Sequence, residues 1–225
     1  MRDTPLTRLQ CWGGSILTCT ALQLPHPQLL SYHPWLNYGA IHLFISLLFS
    51  SYTPLSDPSS KVMDTIFPIL DAVTRTGAIV ASLSAVRNHP NPAYSGSLFL
   101  QLLIGAVASA GGGVTASTLN LWSPSWALST PPFLNNPTLL STLDIWSGSL
   151  AALIYGFLTA SHTGYGPWIA HINGGKEGAM FTDLGARAVV VLVLTGCYGW
   201  RVGVTHYGRA KKVVGNKGLK EKKVQ

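Results

Sequence analysis

The sequence predicts an all-α fold, a polytopic membrane helix bundle of about six helices. Three observations carry this. Charged residues make up only 10% of the chain, whereas a soluble domain uses about a quarter. The charge is also segregated. Residues 1–200 hold seven basic and seven acidic side chains, and the last 25 hold eight basic groups against Glu221, so the net charge of +7 sits in one short tail. Finally, there is no Asp, Glu, Lys or Arg between Arg87 and Asp144, or from Ile145 to Gly175. Hydrocarbon requires each backbone N–H and C=O to be paired within its own segment, which favours helices. A transmembrane barrel would instead show strands of about ten alternating residues, and continuous Leu, Ile, Val and Ala runs stand here in their place.

The elements follow in order. The first apolar segment, 12–24, is short for a span and ends at Pro25-His26-Pro27; the second, 35–52, starts after His33-Pro34 and stops before Pro54 to Pro58. The third, 62–86, carries Asp64, Pro68, Asp71 and Arg75 and ends at Asn88 to Pro92. The fourth, 98–119, contains Gly111-Gly112-Gly113. The fifth, 139–160, follows Asn135-Asn136-Pro137 and holds Asp144 near its start, and the sixth, 181–200, opens on Asp183 with Arg187 one turn later. Pro and Gly punctuate each connection, as turns require. Trp12, Trp35, Trp122, Trp126, Trp168 and Trp200 fall near segment ends, where an amphipathic ring prefers the headgroup level. The N-terminus does not read as a signal peptide, because Asp3 interrupts its basic region and no small-residue cleavage site follows. Cys11, Cys19 and Cys197 read as packing residues with free thiols. Residues 1–200 thus form a transmembrane domain and 201–225 a basic tail. Lysine and arginine are costly to translocate, so the tail is expected in the cytosol.

An internal repeat is also legible. Gly13-Gly14-Ser15-Ile16-Leu17-Thr18-Cys19-Thr20 resembles Gly111-Gly112-Gly113-Val114-Thr115-Ala116-Ser117-Thr118, at an offset of about 100 residues. Small apolar residues also recur by chance. If the repeat holds, the first unit covers about 1–52 and lacks its opening helix, the second covers about 62–160, and a final helix covers about 181–200. A three-helix unit is odd-numbered, so successive units run in opposite directions, the inverted-repeat plan of many transporters and channels.

The residues that bear chemistry are few. Asp71 and Arg75 are one turn apart, hence on one helix face, and can pair. An ionisable group at mid-membrane costs about 2.5–3.5 kcal/mol and usually faces an interior or a wet path. A purely structural pair that lets the helix insert is the competing reading. The glycine triplet has two readings as well. Each Gly costs up to about 1 kcal/mol relative to Ala, so three in a row favour a break; small residues also allow close helix packing. Asp144 and Asp183 sit where an acid favours the helix dipole. The seven histidines are scattered and form no metal-ligand pattern. No phosphate loop, nucleophile elbow or paired catalytic carboxylate is present, so an enzyme is not expected. Nucleic acid is not an expected partner either, because a basic tail beside a membrane meets anionic lipid.

Ile66-Phe67 through Asp71, Arg75 and Ile79, then a bare span, the glycine triplet, Leu121-Trp122, a Pro-rich loop and a last span with a Lys-rich tail together resemble the trimeric intracellular cation channels. The resemblance covers nearly the whole chain. It implies seven transmembrane helices, two inverted three-helix repeats plus a seventh, with glycine-rich breaks in the second and fifth. The six segments here match helices two to seven, so a first helix is expected to be missing, as in a truncated gene model or fragment. It implies a homotrimer that conducts potassium ions across the endoplasmic reticulum or nuclear membrane. Asp71, Thr74, Arg75, Asp144, Thr118, Asn120 and the glycines Gly13, Gly14, Gly111, Gly112 and Gly113 then become pore, gating or lipid-binding candidates. No cofactor is expected; the ligand is a phosphoinositide or another anionic lipid. Departures are plain. Animal members carry a basic pair in the fourth helix, and here Arg75 fills its second position while Asp71 stands in the first. The lysine before the fifth-helix glycines is replaced by Val107 to Ala110. Bacterial members have an acid after the triplet, where this chain has Thr118 and Asn120. The rival functions are a secondary transporter, with Asp71 and Asp144 binding a solute or proton, and a non-conducting membrane scaffold. Lys222 and Lys223, fourth and third from the end, match a dilysine retrieval signal of the endoplasmic reticulum.

Overall fold

The computed structural model describes residues 5–51, 60–121, 123, 127–176 and 178–208, with the side chains of 5–11, 45, 48–51, 60–64 and 132 left aside. Lys222 and Lys223 lie outside the described residues, as do Trp122 and Trp126. The elements are α1 (Pro5–Ala21), α2 (Pro27–Leu30), α3 (His33–Ser51), α4 (Ser60–Arg87), α5 (Pro92–Ser95), α6 (Leu98–Thr118), α7 (Pro132–Asn135), α8 (Leu143–Leu158), α9 (Gly166–Ile172) and α10 (Asp183–Val202). Among the described residues there is no strand. Each of the six apolar segments forms a long helix; α2, α5 and α7 are single turns at proline-marked connections.

Three helical stretches are long and apolar enough to cross a membrane: Thr65–Arg87, Leu98–Thr118 and Asp183–Tyr207. The 21 residues of α6 rise about 31 Å at 1.5 Å each, which matches a hydrocarbon layer of about 30 Å. The 16-residue α8 is shorter, and meets the same test only together with the stretch Thr163–Ile172, bent from it by 78°. The molecule is an all-helical membrane protein with several candidate spans.

Local chemistry sets the ends. The Ser97 hydroxyl accepts from Leu100 N–H (3.2 Å) at the start of α6, and Thr182 accepts from Gly185 N–H (3.2 Å) at the start of α10. Each satisfies one of the orphan donors of a helix N-terminus. Asn120, with φ of 48°, and Ala160, with φ of 49°, turn the chain out of α6 and α8. Residues 139–142, expected within the fifth span, form a turn instead. A network of Thr138, Ser141 and Thr142 hydroxyls, bonded to the Asn136 and Thr138 carbonyls, competes with helix formation there. Pro68, by contrast, sits inside an unbroken α4.

The core is shared by four helices. Ala72, Ile79, Val80 and Leu83 of α4 pack with Ala108 of α6, with Leu143, Ala151, Ala152 and Tyr155 of α8, and with Ala186, Val190, Leu194 and Tyr198 of α10. A smaller cluster of Leu22, Val86 and Ile104 seats the end of α1. Trp12, expected at a membrane surface, is 6% exposed. The reason is that α1 starts at Pro5, which puts Trp12 in mid-helix. There it meets Trp35 edge-on at 4.5 Å and Tyr38 at 5.4 Å. The link after α1 folds back along it, with Gln28 donating to the Ser15 hydroxyl (3.0 Å) and the Trp35 indole donating to the Gln28 carbonyl (2.8 Å). Beyond Tyr38, the side chains of Ile41, Leu43, Phe44 and Leu47 on α3 are exposed.

Candidate functional site

The glycines come first, because they set the spacing of everything else. α6 runs unbroken through Gly111-Gly112-Gly113, so the expected break is replaced by close packing. A Cβ on Gly13 would stand 2.7 Å from the Gly112 Cα, and one on Gly111 would stand 2.8 Å from the Gly14 Cα. A Cβ on Gly14 would meet the Ala108 carbonyl oxygen at 2.5 Å. The α1 and α6 backbones therefore touch. Lipid chains are as apolar as leucine, so helices in a bilayer associate through such close van der Waals approach rather than through the hydrophobic effect. The carbonyls of the triplet also keep partners, since Thr115 donates to Gly111 O (2.7 Å) and Ser117 to Gly113 O (2.8 Å). On another face of α6, Gly105 packs against Gly148 of α8, where a Cβ would lie 2.8 Å from the Gly148 carbonyl oxygen. The small-residue stretch of Gly105, Ala106, Ala108, Ser109 and Ala110 already favoured such packing in the sequence, whereas its partner Gly148 escaped the sequence reading.

With α4, α6, α8 and α10 drawn together, a charged cluster gathers midway along α4 and α6, at the level where α10 finishes and α8 begins. Arg75 is its hub. Its Nε donates to Asp71 Oδ1 (2.9 Å), and its Nη1 donates to the Ser109 carbonyl oxygen (2.9 Å) and to the Ser109 hydroxyl (3.3 Å). The same Nη1 lies 3.0 Å from Asp144 Oδ1. Asp144 in turn pairs with Arg201 Nη1 at 3.1 Å. The Tyr198 ring lies beside both guanidinium groups, 4.9 Å from Arg75 Cζ and 5.3 Å from Arg201 Cζ. Its hydroxyl meets the Ser147 hydroxyl at 3.3 Å. Two acids face two arginines, so the cluster is neutral, and side-chain exposures of 22% for Arg75 and 33% for Asp144 leave it half-buried.

The cluster stands between two cavities. One, of about 570 Å³, is bordered by Pro68, Asp71, Thr74, Tyr198, Arg201 and His206. The other, of about 190 Å³, is bordered by Arg75, Gly113, Ser117, Phe133, Ser141 and Asp144. Thr74 reaches the first cavity while returning its hydroxyl to the Asp71 and Leu70 carbonyls at 3.0 and 3.1 Å. Gly113 opens on the second, where an added Cβ would meet nothing within 4 Å. Thr118 and Asn120 are not part of the cluster. Thr118 donates its hydroxyl to Val114 O (2.8 Å) and receives Ser129 N–H on its carbonyl (2.8 Å), which closes the end of α6. Asp144 occupies the first turn of α8, as a capping acid would, and also carries the two ion pairs. Sequence reasoning missed Arg201, Tyr198, Ser109 and Ser147 as site residues, because their hydrogen-bond partners on other helices lie 34 to 57 residues away along the chain.

The opposite end holds a second charged group. Asp183 accepts a short hydrogen bond from the Tyr155 hydroxyl and pairs with Arg187 at 2.8 Å. Arg87, the last residue of α4, lies over the Tyr155 ring at 5.2 Å. Between the two ends Ile79, Leu83, Ala151, Val190 and Leu194 are fully buried, so the four-helix core is dry. Among the described residues no three His, Cys, Asp or Glu side chains are grouped to hold a metal ion, and Cys19 and Cys197 are free thiols.

No family model matches the chain, and no curated protein and no solved structure matches it either.

Proposed function

We propose that the protein is a monovalent cation channel of internal membranes, conducting potassium, with the Asp71–Arg75–Asp144–Arg201 cluster as its gate. The observation that carries the reading is the position of this cluster between two cavities in a membrane bundle. A pore needs sites weak enough for an ion to leave. A carboxylate already paired with arginine offers such a weak site, and a guanidinium that changes partners can open or close the connection. Asp71, Thr74 and Arg201 are the groups on the larger cavity side; Arg75, Asp144, Gly113 and Ser117 are those on the smaller. The inverted repeat is part of the same proposal. Aligning Gly13 with Gly111 and Gly14 with Gly112 makes the contacts Gly13–Gly112 and Gly14–Gly111 images of one another, as a two-fold axis between repeats requires. A trimer, an endoplasmic-reticulum or nuclear-membrane address with the tail cytosolic, and association of an anionic lipid with the basic groups complete it.

Planar-bilayer recording of the full protein tests the function. Cation-selective single-channel steps are expected, and their absence at all voltages overturns it. Tagged protein with Lys222→Ser and Lys223→Ser tests the address; it is expected to escape to later compartments. One observation favours the scaffold reading instead, namely that each charge of the cluster is already paired. The double variant Arg75→Ala/Asp144→Ala separates the two, since a gate changes conductance or open probability and a clamp changes only stability.

A further inference from the structure

The end of the bundle where α4 finishes and α6 and α10 begin holds hydrogen-bond donors without acceptors. Arg87, the last residue of α4, lays its guanidinium over the Tyr155 ring at 5.2 Å. Its Nε and Nη2 are both shielded from solvent, and neither has a hydrogen-bond partner. The Tyr165 hydroxyl is shielded and unpartnered in the same way, on a residue only 4% exposed. A Cβ on Gly156 would stand 3.1 Å from that hydroxyl, so the glycine of α8 leaves the room it occupies. The charge of Arg87 reaches both tyrosine hydroxyls and Asp183. Gln101 Nε2 is a further orphan, on a residue 2% exposed in the first turn of α6. Leu98, in the same turn, borders one cavity together with Tyr165, which puts the start of α6 at this level. Three of these four orphan atoms can only donate, and the phenol can donate too.

We propose that these donors form a binding site for one small monovalent anion of the halide class, held by the Nε–Nη2 edge of Arg87 and the Tyr165 hydroxyl. Buried polar groups in folded proteins are nearly always satisfied, so a set of orphans of one kind calls for a shared acceptor. Charge decides which acceptor. Asp183 is already taken by the Tyr155 hydroxyl and by Arg187, so Arg87 and Arg187 share this one carboxylate. In the Arg75 cluster, by contrast, two acids face two arginines. Leu83 and Val86, beside Arg87 on α4, are fully buried, and an uncompensated charge at the edge of such an apolar core is costly. A water would accept from the donors and leave the charge in place, whereas an anion answers both needs. Size excludes the larger anions. The donors are shielded, which leaves no opening for a phosphate, while a single-atom ion needs only a small shift of two side-chain ends. Nε–H and one Nη2–H point the same way from the planar guanidinium, and a spherical ion can accept from both. The site lies across the dry core from Asp71 and Asp144, so it stands whether or not the protein conducts.

Reversible urea denaturation of the full chain in a nonionic detergent tests the site, with sodium chloride exchanged for sodium gluconate at constant ionic strength. Unfolding opens the site, so equilibrium is reached however well it is sealed. An ion that binds the folded state alone lowers the unfolding constant in proportion to its concentration once the site is filled. A tenfold rise in chloride above half-saturation is therefore expected to lower that constant about tenfold, and no dependence on chloride overturns the proposal. Arg87→Met is expected to lose the dependence. Arg201→Gln, in the other charged cluster, is expected to keep it. A dependence that survives in Arg87→Met, or that vanishes in Arg201→Gln, places the ion elsewhere and overturns the proposal. Tyr165→Phe is expected to raise the half-saturating concentration about five-fold, as the loss of one hydrogen bond implies; an unchanged value overturns this placement of the site. Should Arg87→Met not fold, crystals of the wild type grown in sodium bromide decide. An anomalous peak beside Arg87 Nε and Nη2 is expected, and an ordered water there without one sinks the idea.

Discussion

Arg75 holds more partners than any other side chain of the cluster, and the consequences of removing it follow from that. Arg75→Ala leaves Asp71 without its ion pair and Asp144 with Arg201 alone, and it strips the Ser109 carbonyl of a donor. Uncompensated, half-buried carboxylates are destabilising. A loss of about 2 kcal/mol is expected in a denaturation curve of the detergent-solubilised protein. Asp71→Ala is expected to cost less than about 1 kcal/mol, since Asp71 is more exposed and Arg75 keeps Asp144 and Ser109. Equal losses for the two variants would show that Arg75 is not the hub. Arg75→Lys should fall nearer to the alanine variant than to wild type, because a single ammonium cannot reproduce the fork that reaches Asp71, Asp144 and Ser109 together.

At the scale of the elements, two glycine crossings set the distances at which the charged groups meet. Gly14→Val and Gly111→Val force side-chain carbons into backbone atoms of the facing helix, at 2.5 and 2.8 Å for the Cβ alone. Backbone cannot yield as a flexible side chain does, so each is expected to cost at least about 1–3 kcal/mol or to detach α1 from α6. Gly113→Ala is the control. Its site is open, and alanine is favoured over glycine in a helix by up to about 1 kcal/mol. It should be neutral or stabilising in the same denaturation assay. A Gly113→Ala variant as damaged as Gly14→Val would mean that the triplet is needed for flexibility rather than for close approach.

For the molecule as a whole, the dry core between the two charged ends bears on where water and ions can pass. Ile79 and Leu83 are fully buried, whereas Thr74 and Ser117 border the two cavities. In a background free of the native cysteines, Thr74→Cys and Ser117→Cys are expected to react readily with a water-soluble thiol reagent, and Ile79→Cys and Leu83→Cys to stay protected. Rapid labelling at Ile79→Cys would place a wet path through the centre of α4, α6, α8 and α10.

Much of this was written in the residues themselves. Apolar runs bounded by proline and glycine mark six long helices, three of them long and apolar enough to cross a membrane, where a helix pairs its backbone hydrogen bonds within itself. The four-residue spacing of Asp71 and Arg75 fixes their pairing, because helix geometry puts them on one face. What the tertiary structure decided is long-range. Asp144 and Arg201, 57 residues apart, meet only because α8 and α10 pack side by side, and no local period announces such a partner. The glycine triplet admitted either a break or a contact on local grounds alone, since both follow from a missing Cβ. The choice fell to contact because α1 brings a second pair of glycines to the same depth, and two backbones without side chains between them can touch.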